Sequence, residues 1–115
     1  MTAWRGVDEG DKLKHESFGG NNSSGFSALG TGYRDPEGNY KAMGTDNDYW
    51  TSTSYMNDGN MEGILHGLLN TKSTVVRNFH VPAYGFCVRC IKNNTTDIIE
   101  SPKEKNLYFS FTAVL

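Results

Sequence analysis

Cys87-Val88-Arg89-Cys90 has the spacing of a thiol redox pair or of half a zinc site. Redox chemistry of that kind lowers a thiol pKa by seating it at a helix N-terminus. These two cysteines stand instead in Tyr84-Gly85-Phe86-Cys87-Val88-Arg89-Cys90-Ile91-Lys92, a near-continuous apolar run that reads as a strand. There their side chains face opposite sides, and a tetrahedral zinc would need two further ligands, so the pair reads as packing. His15, His66 and His80 have unrelated spacings, and Glu62-Gly63-Ile64-Leu65-His66 is not the two-histidine helical motif of metalloproteases. They read as surface or packing histidines. Asp46-Asn47-Asp48, and Asn57-Asp58-Gly59-Asn60 with Glu62, carry hard oxygen ligands of the kind calcium takes six to eight at a time. Turn chemistry alone accounts for them, so no cofactor or metal is expected and calcium is the weak alternative. Gly19-Gly20-Asn21-Asn22-Ser23-Ser24-Gly25 lacks the Lys-Ser/Thr end of a phosphate loop and reads as a flexible loop. Asn22-Ser23-Ser24 and Asn94-Thr95-Thr96 have the form of glycosylation sequons and read as polar turns. Asp8-Glu9 is an adjacent acidic pair in exposed sequence, and no Ser-His-Asp elbow occurs. No catalytic residue stands out, and the chain is not expected to be an enzyme.

The elements that position these residues come from 115 residues, enough for one domain with one modest core. With 11 Lys+Arg against 13 Asp+Glu, the formal charge of -2 supplies neither the field that draws nucleic acid nor a polybasic run for anionic lipid. No apolar run approaches the roughly 20 residues of a membrane span, and no signal-type apolar region follows Met1-Thr2-Ala3-Trp4-Arg5. Two cysteines are too few to declare a disulfide framework. Hydrophobic residues at 37%, aromatics at 12% and 13 glycines favour a mainly β fold, α+β at most, with aromatics building a small core between many turns.

Along the chain, glycines at 6, 10, 19 and 20 interrupt any long helix, and a short strand or turn is expected near Leu13. Gly25-Phe26-Ser27-Ala28-Leu29 alternates like a half-buried strand, and Tyr33-Arg34 continues it or forms its exit. Asp35-Pro36-Glu37-Gly38 is a type I turn signal, so strands on either side, Tyr33-Arg34 and Tyr40-Lys41-Ala42-Met43, should meet as a hairpin. Asp46-Asn47-Asp48 is expected as the next loop. The β-favouring Tyr49-Trp50-Thr51-Ser52-Thr53-Ser54-Tyr55 follows, then a tight turn at Asn57-Asp58-Gly59-Asn60. Met61, Ile64, Leu65 and Leu68 have helical spacing, but Gly63 and Gly67 would each weaken a helix by about 1 kcal/mol, which favours a strand. Ser73-Thr74-Val75-Val76-Arg77 is a further strand and Val81-Pro82-Ala83 a turn. With apolar groups on both faces, residues 84–92 should form a central strand. A polar spacer over residues 93–106 and a period-two strand over 107–115 complete the chain. Trp4, Tyr33, Trp50 and Phe86 read most simply as core residues; the alternative, a sugar-stacking platform, needs an aromatic face left open to solvent.

Several of these segments form a recognisable series: Gly10-Asp11-Lys12-Leu13-Lys14, Ser24-Gly25-Phe26-Ser27-Ala28-Leu29, Gly32-Tyr33-Arg34-Asp35 with Gly38, Met43-Gly44, Tyr49-Trp50-Thr51-Ser52-Thr53 and Tyr84-Gly85-Phe86-Cys87-Val88-Arg89-Cys90. In this order they resemble the Fibrobacter succinogenes major paralogous domain, over roughly residues 4–92. The resemblance implies a partial C-type lectin-like fold of short twisted antiparallel strands and long loops. It also implies an extracellular or cell-surface setting, since the family occurs mainly in exported or surface proteins of Bacteroidetes and relatives. Some members resemble the variable proteins of diversity-generating retroelements, whose scaffold displays a ligand-binding face. The chain departs from the family in three places. The usual Trp- and Pro-containing opening is absent or replaced, Gly30-Thr31-Gly32 stands where Pro-Gly is usual, and residues 107–115 lie beyond the usual end. That last strand is expected to pair with the core sheet and partly substitute for the missing first strand.

The function implied is a non-catalytic ligand-binding or display module, with a protein or glycan partner at the cell surface. Its binding face is expected on the loops between Trp50 and Tyr84. There Tyr55 and His80 give rigid contact area, and Asn57, Asp58, Asn60, Asn70, Lys72 and Asn78 give adaptable hydrogen bonds, as in antibody loops. Two alternatives stay open: a structural or assembly module of a larger surface or virion protein, and an enzyme related to formylglycine-generating enzymes, which share the broad fold.

Overall fold

A computed structural model describes residues 3–92 and 111–113. The protein is mainly β, and its strands pair antiparallel. Strands β1 (Ala3–Arg5), β4 (Asp46–Asn57), β5 (Asn60–Leu69) and β6 (Val75–His80) form one sheet in the order β1-β6-β5-β4. β2 (Tyr33–Arg34) and β3 (Tyr40–Lys41) form a hairpin, and β7 (Cys90–Lys92) pairs with β8 (Phe111–Ala113). A short helix α1 (Glu9–Leu13) and a single 3-10 turn (Glu16–Phe18) lead from β1 into the loops beneath the sheet.

Local chemistry explains the turns. Asp58 and Gly59 both have positive φ, 47° and 79°, and sit between the paired Asn57 and Asn60, which is the two-residue type I′ connection that matches strand twist. At the β2–β3 hairpin the buried Asp35 accepts hydrogen bonds from the Asn39 backbone N–H at 2.8 Å and the Asn39 amide at 3.3 Å, and it pairs with Lys41 at 3.1 Å. The backbone bond foremost, with Lys41 assisting, pulls the Asp35 carboxyl down to about 2. Its stabilising effect is therefore complete above the ordinary aspartate range and disappears as pH falls through about 2. In Asp35→Ala, hydrogen exchange at the Asn39 amide should speed up by on the order of tenfold, while the amides of the β4–β5 pairing keep their protection.

The sheet has two unlike faces because side chains alternate. On one, Asn47 and Tyr49 of β4 and Leu68 of β5 pack onto Phe18 and Ala28, with Leu13, Phe26, Val75 and Cys87 at the margin. Asn47 is 1% exposed; its amide donates to the Leu29 carbonyl at 2.5 Å and the Tyr49 hydroxyl at 2.9 Å. Lys14 ties the helical segment to the sheet from below, its ammonium held by the backbone carbonyls of Leu69 at 2.8 Å and Lys72 at 2.7 Å and by Asp11 at 3.3 Å. The other face carries Asp46, Asp48 and Trp50 opposite Leu69, Gly67 and Leu65, with Val76, Asn78 and His80 beyond them on β6.

Several expectations from sequence are corrected. Asp46-Asn47-Asp48 is the first part of β4 and not a loop. Leu13 ends helix α1 and does not lie in a strand or turn. Gly25-Phe26-Ser27-Ala28-Leu29 forms no strand, because Gly25 at φ 75° and Ser27 at φ 59° turn the backbone, leaving one bridge from Ala28 to Lys14. Residues 84–92 are not a continuous central strand. Gly85 pairs with Arg34 in antiparallel sense and Cys87 with Tyr49 in parallel sense, so one short stretch serves two neighbours of opposite direction. The chain then leaves β4, with Val88 58% exposed, and is regular again only in β7. Trp4 is not a core residue: it lies on edge strand β1, 44% exposed. β8 pairs with β7, while β1 occupies the sheet edge expected to be vacant. The spacer at 93–106, the Asn94-Thr95-Thr96 sequon and the rest of 107–115 lie outside the described residues.

Candidate functional site

Residues 84–86 are held beside β2 by two backbone hydrogen bonds, Arg34 N–H to the Gly85 carbonyl at 3.0 Å and Gly85 N–H to the Arg34 carbonyl at 2.8 Å. Two more, Trp50 N–H to the Cys87 carbonyl and Cys87 N–H to the Asp48 carbonyl, both 2.9 Å, fix the following residue against β4. Between this clamped segment and the face of β4, β5 and β6 lies a cleft of about 260 Å³.

One wall is aromatic. Tyr84 and Phe86 are stacked with centroids 5.4 Å apart and planes 15° apart, and Tyr33 meets their rings at 6.1 and 6.0 Å. Trp50 backs Phe86 at 4.6 Å, and the His80 ring lies 4.6 Å from Tyr84. The tilted and edge-on contacts suit the ring quadrupoles. Glycine makes the geometry attainable: a Cβ on Gly63 would strike the Trp50 ring, and one on Gly67 would strike the Asp48 carboxylate and Val76.

The floor carries charge. Asp46 and Asp48, two residues apart on β4, face the cleft together, with Asn78 and His80 across from them. Burial, with repulsion from Asp46 second, pushes the Asp48 carboxyl up to about 6. Burial also lowers the His80 pKa against an opposing pull from Glu62, so His80 is neutral at pH 7 and offsets neither carboxylate. Among the described residues, neither aspartate forms an ion pair with Lys or Arg. Chemically, such an arrangement can accept hydrogen bonds and positive charge beside a ring-lined wall.

Of the eight residues singled out from sequence, Asn78 and His80 line this cleft. The other six lie elsewhere, and most of the eight are on strands, so the segment between Trp50 and Tyr84 is a β-sheet with short turns and not a set of long loops. Tyr55 is on the opposite face, its ring 5.1 Å from Phe79. Asn57 donates to Glu62 at 3.1 Å; Asn60 is its partner across the hairpin, and Asp58 is at the tip. Asn70 and Lys72 occupy the β5–β6 turn, with the Lys72 ammonium 5.3 Å above the Trp4 ring. That turn is about 33 Å from the hairpin tip, at roughly 3.3 Å per strand residue, so one small ligand cannot touch both groups.

Tyr33, Leu65, Leu69, Val76, Tyr84 and Phe86 are cleft residues not assigned to a site from sequence, and Asp46 and Asp48 entered there only through the weak calcium alternative. A signal existed: Asp46, Asp48 and Trp50 alternate with Asn47 and Tyr49, which extends the period-two pattern upstream. Cys87 and Cys90 are free thiols; Cys87 lies 3.1 Å from the Thr31 hydroxyl and Cys90 is exposed. Among the described residues no three His, Cys, Asp or Glu side chains group as a metal site, and no helix is long and apolar enough to cross a membrane. No curated protein and no solved structure matches the chain. The model of the Fibrobacter succinogenes major domain matches residues 1–92, a span containing every cleft residue and both halves of the clamp, and the chain belongs to that family.

Proposed function

We propose that the protein is a non-catalytic ligand-binding module of a secreted or surface-displayed bacterial protein, and that it takes its ligand in the cleft between Tyr84, Phe86 and the β4-β5-β6 face. The observation that carries this reading is the combination of an aromatic wall with two carboxylates that no Lys or Arg of the described residues neutralises. A fold gains nothing by burying a carboxylate beside another of like charge, whereas a binding site gains a strong contact from it. The partial lectin-like fold is consistent with the mainly β antiparallel architecture and with family membership.

Arrays of glycans and of immobilised peptides provide the test. Wild-type protein should be captured by a subset of spots, and Asn78→Ala combined with His80→Ala should reduce that capture by at least tenfold. Asn70→Ala combined with Lys72→Ala, at the far end of the sheet, should leave it unchanged. Equal capture by the cleft variant and wild type would move the binding surface elsewhere.

A further inference from the structure

We propose that the cleft recognises an organic cation, an alkylammonium or guanidinium group of the kind a lysine or arginine side chain presents. This rests on the cleft being the binding site, and it adds the chemical class of the ligand.

Elimination on physical grounds leads to that class. An anion would meet Asp46 and Asp48 with no positive group in the lining to offset them. Calcium seeks six to eight oxygens, and much of this lining is rings and the side chains of Leu65, Leu69 and Val76. A neutral sugar could stack on Tyr84 and Phe86 and donate its hydroxyls to the carboxylates, yet it would leave two like charges in the cleft without a neutralising charge. A guanidinium or ammonium group satisfies both halves of the site. Its N–H groups donate to the carboxylates in charge-assisted hydrogen bonds, and its positive charge lies against the negative faces of Tyr33, Tyr84 and Phe86. The volume agrees: about 260 Å³ is the share of roughly nine water molecules at ~30 Å³ each, which is room for one side-chain head group. The titratable groups facing Asp48 across the cleft are Asp46 on β4, His80 on β6, Tyr33 on β2 and Tyr84 on the clamped segment, and none of these is positively charged at pH 7.

The test is an amide NMR titration of the whole chain with four probes: Nα-acetyl-arginine methylamide, the corresponding citrulline compound as a neutral isostere, putrescine, and methyl glucoside. The arginine compound should produce saturable shifts at the amides of Asp48, Gly67, Asn78 and Phe86. Citrulline should bind at least tenfold more weakly. Asp48→Asn and, separately, Asp46→Asn should each weaken the arginine compound by at least tenfold at pH 7.5, and the wild type should lose as much between pH 7.5 and pH 4.5. Putrescine binding as tightly as the blocked arginine would identify free amines as the source of the cation, and weaker putrescine binding would identify a protein side chain; both support the class. Citrulline binding equal to arginine, or shifts from the glucoside alone, would overturn the cation while leaving the cleft as a binding site. Shifts from no probe would overturn the cation, and unchanged array capture by the cleft double variant would overturn the site itself.

Discussion

Replacing Lys14 with methionine should lower the unfolding free energy by about 2–3 kcal/mol, read as a shift in the urea midpoint with an unchanged slope. The Lys14 side chain is fully buried, and its three N–H donors are all engaged, by two backbone carbonyls of the β5–β6 turn and by Asp11 of helix α1. Methionine preserves most of the apolar stem but removes the ammonium donor from the Lys72 carbonyl and from the Leu69 carbonyl, which keeps only the Lys72 N–H at 3.2 Å, and it leaves Asp11 without its counter-charge. The same residue pairs through its backbone bridge with Ala28, so the loss reaches the loop that covers the core beneath β4 and β5. A built-in control stands two residues earlier: Lys12 pairs with Asp8 at 3.1 Å, but both side chains are about half exposed. Lys12→Met should therefore cost under about 1 kcal/mol. Equal effects of the two substitutions would mean that the β5–β6 turn is not held by Lys14. Domains of this size have only about 5–15 kcal/mol in total, so the expected loss is a large share of the fold's stability.

Lys14 also marks where sequence stops being informative. Lys14 stands in a segment whose sequence reads as a short strand or turn, and nothing local says that carbonyls from residues 69 and 72 close over it. Features set by neighbouring residues were legible. Asp35-Pro36-Glu37-Gly38 and Asn57-Asp58-Gly59-Asn60 each contain the backbone preferences of the turn they form. The strand at 60–69 was legible despite its helical spacing, because two glycines four apart suit a sheet surface crossed by a Trp ring and a carboxylate better than they suit a helix. The candidate site was legible only in part. Asn78 and His80 were found through their residue types; Asp46 and Asp48 were hidden by theirs, since Asp and Asn together spell a loop until the alternation with Tyr49 and Trp50 is counted. The aromatic wall was visible as apolar residues but not as a wall, because its position depends on Gly85 pairing with Arg34 fifty-one residues earlier in the chain.

The floor of the cleft gives the second large effect, of opposite sign. Asp48→Asn should stabilise the protein at pH 7.5 by about 3 kcal/mol, the equivalent of moving a carboxyl from its ordinary value of 3.8 to about 6. Because the folded-state pKa is raised, the native protein holds the proton more tightly than the unfolded chain, so this contribution to stability is complete below pH 4 and is lost as pH rises through about 6. Urea melts from pH 4 to 8 should show wild-type stability falling across that window once the remaining carboxylates are taken into account by comparison with the variant. In Asp48→Asn this fall should be absent. The variant removes both sources of the shift, the desolvated charge and its repulsion with Asp46, and the amide fits where Gly67 leaves space. A variant no more stable than wild type at pH 7.5 would mean that Asp48 is well solvated and that the cleft is too open to hold a charge at a premium. The expected gain links stability to the proposed binding: Asp48 costs the free protein stability, as a residue serving a ligand can. A bound cation would stabilise wild type by an amount that grows with its concentration relative to its Kd, and because Asp48→Asn should bind it more weakly, the same concentration should stabilise the variant less.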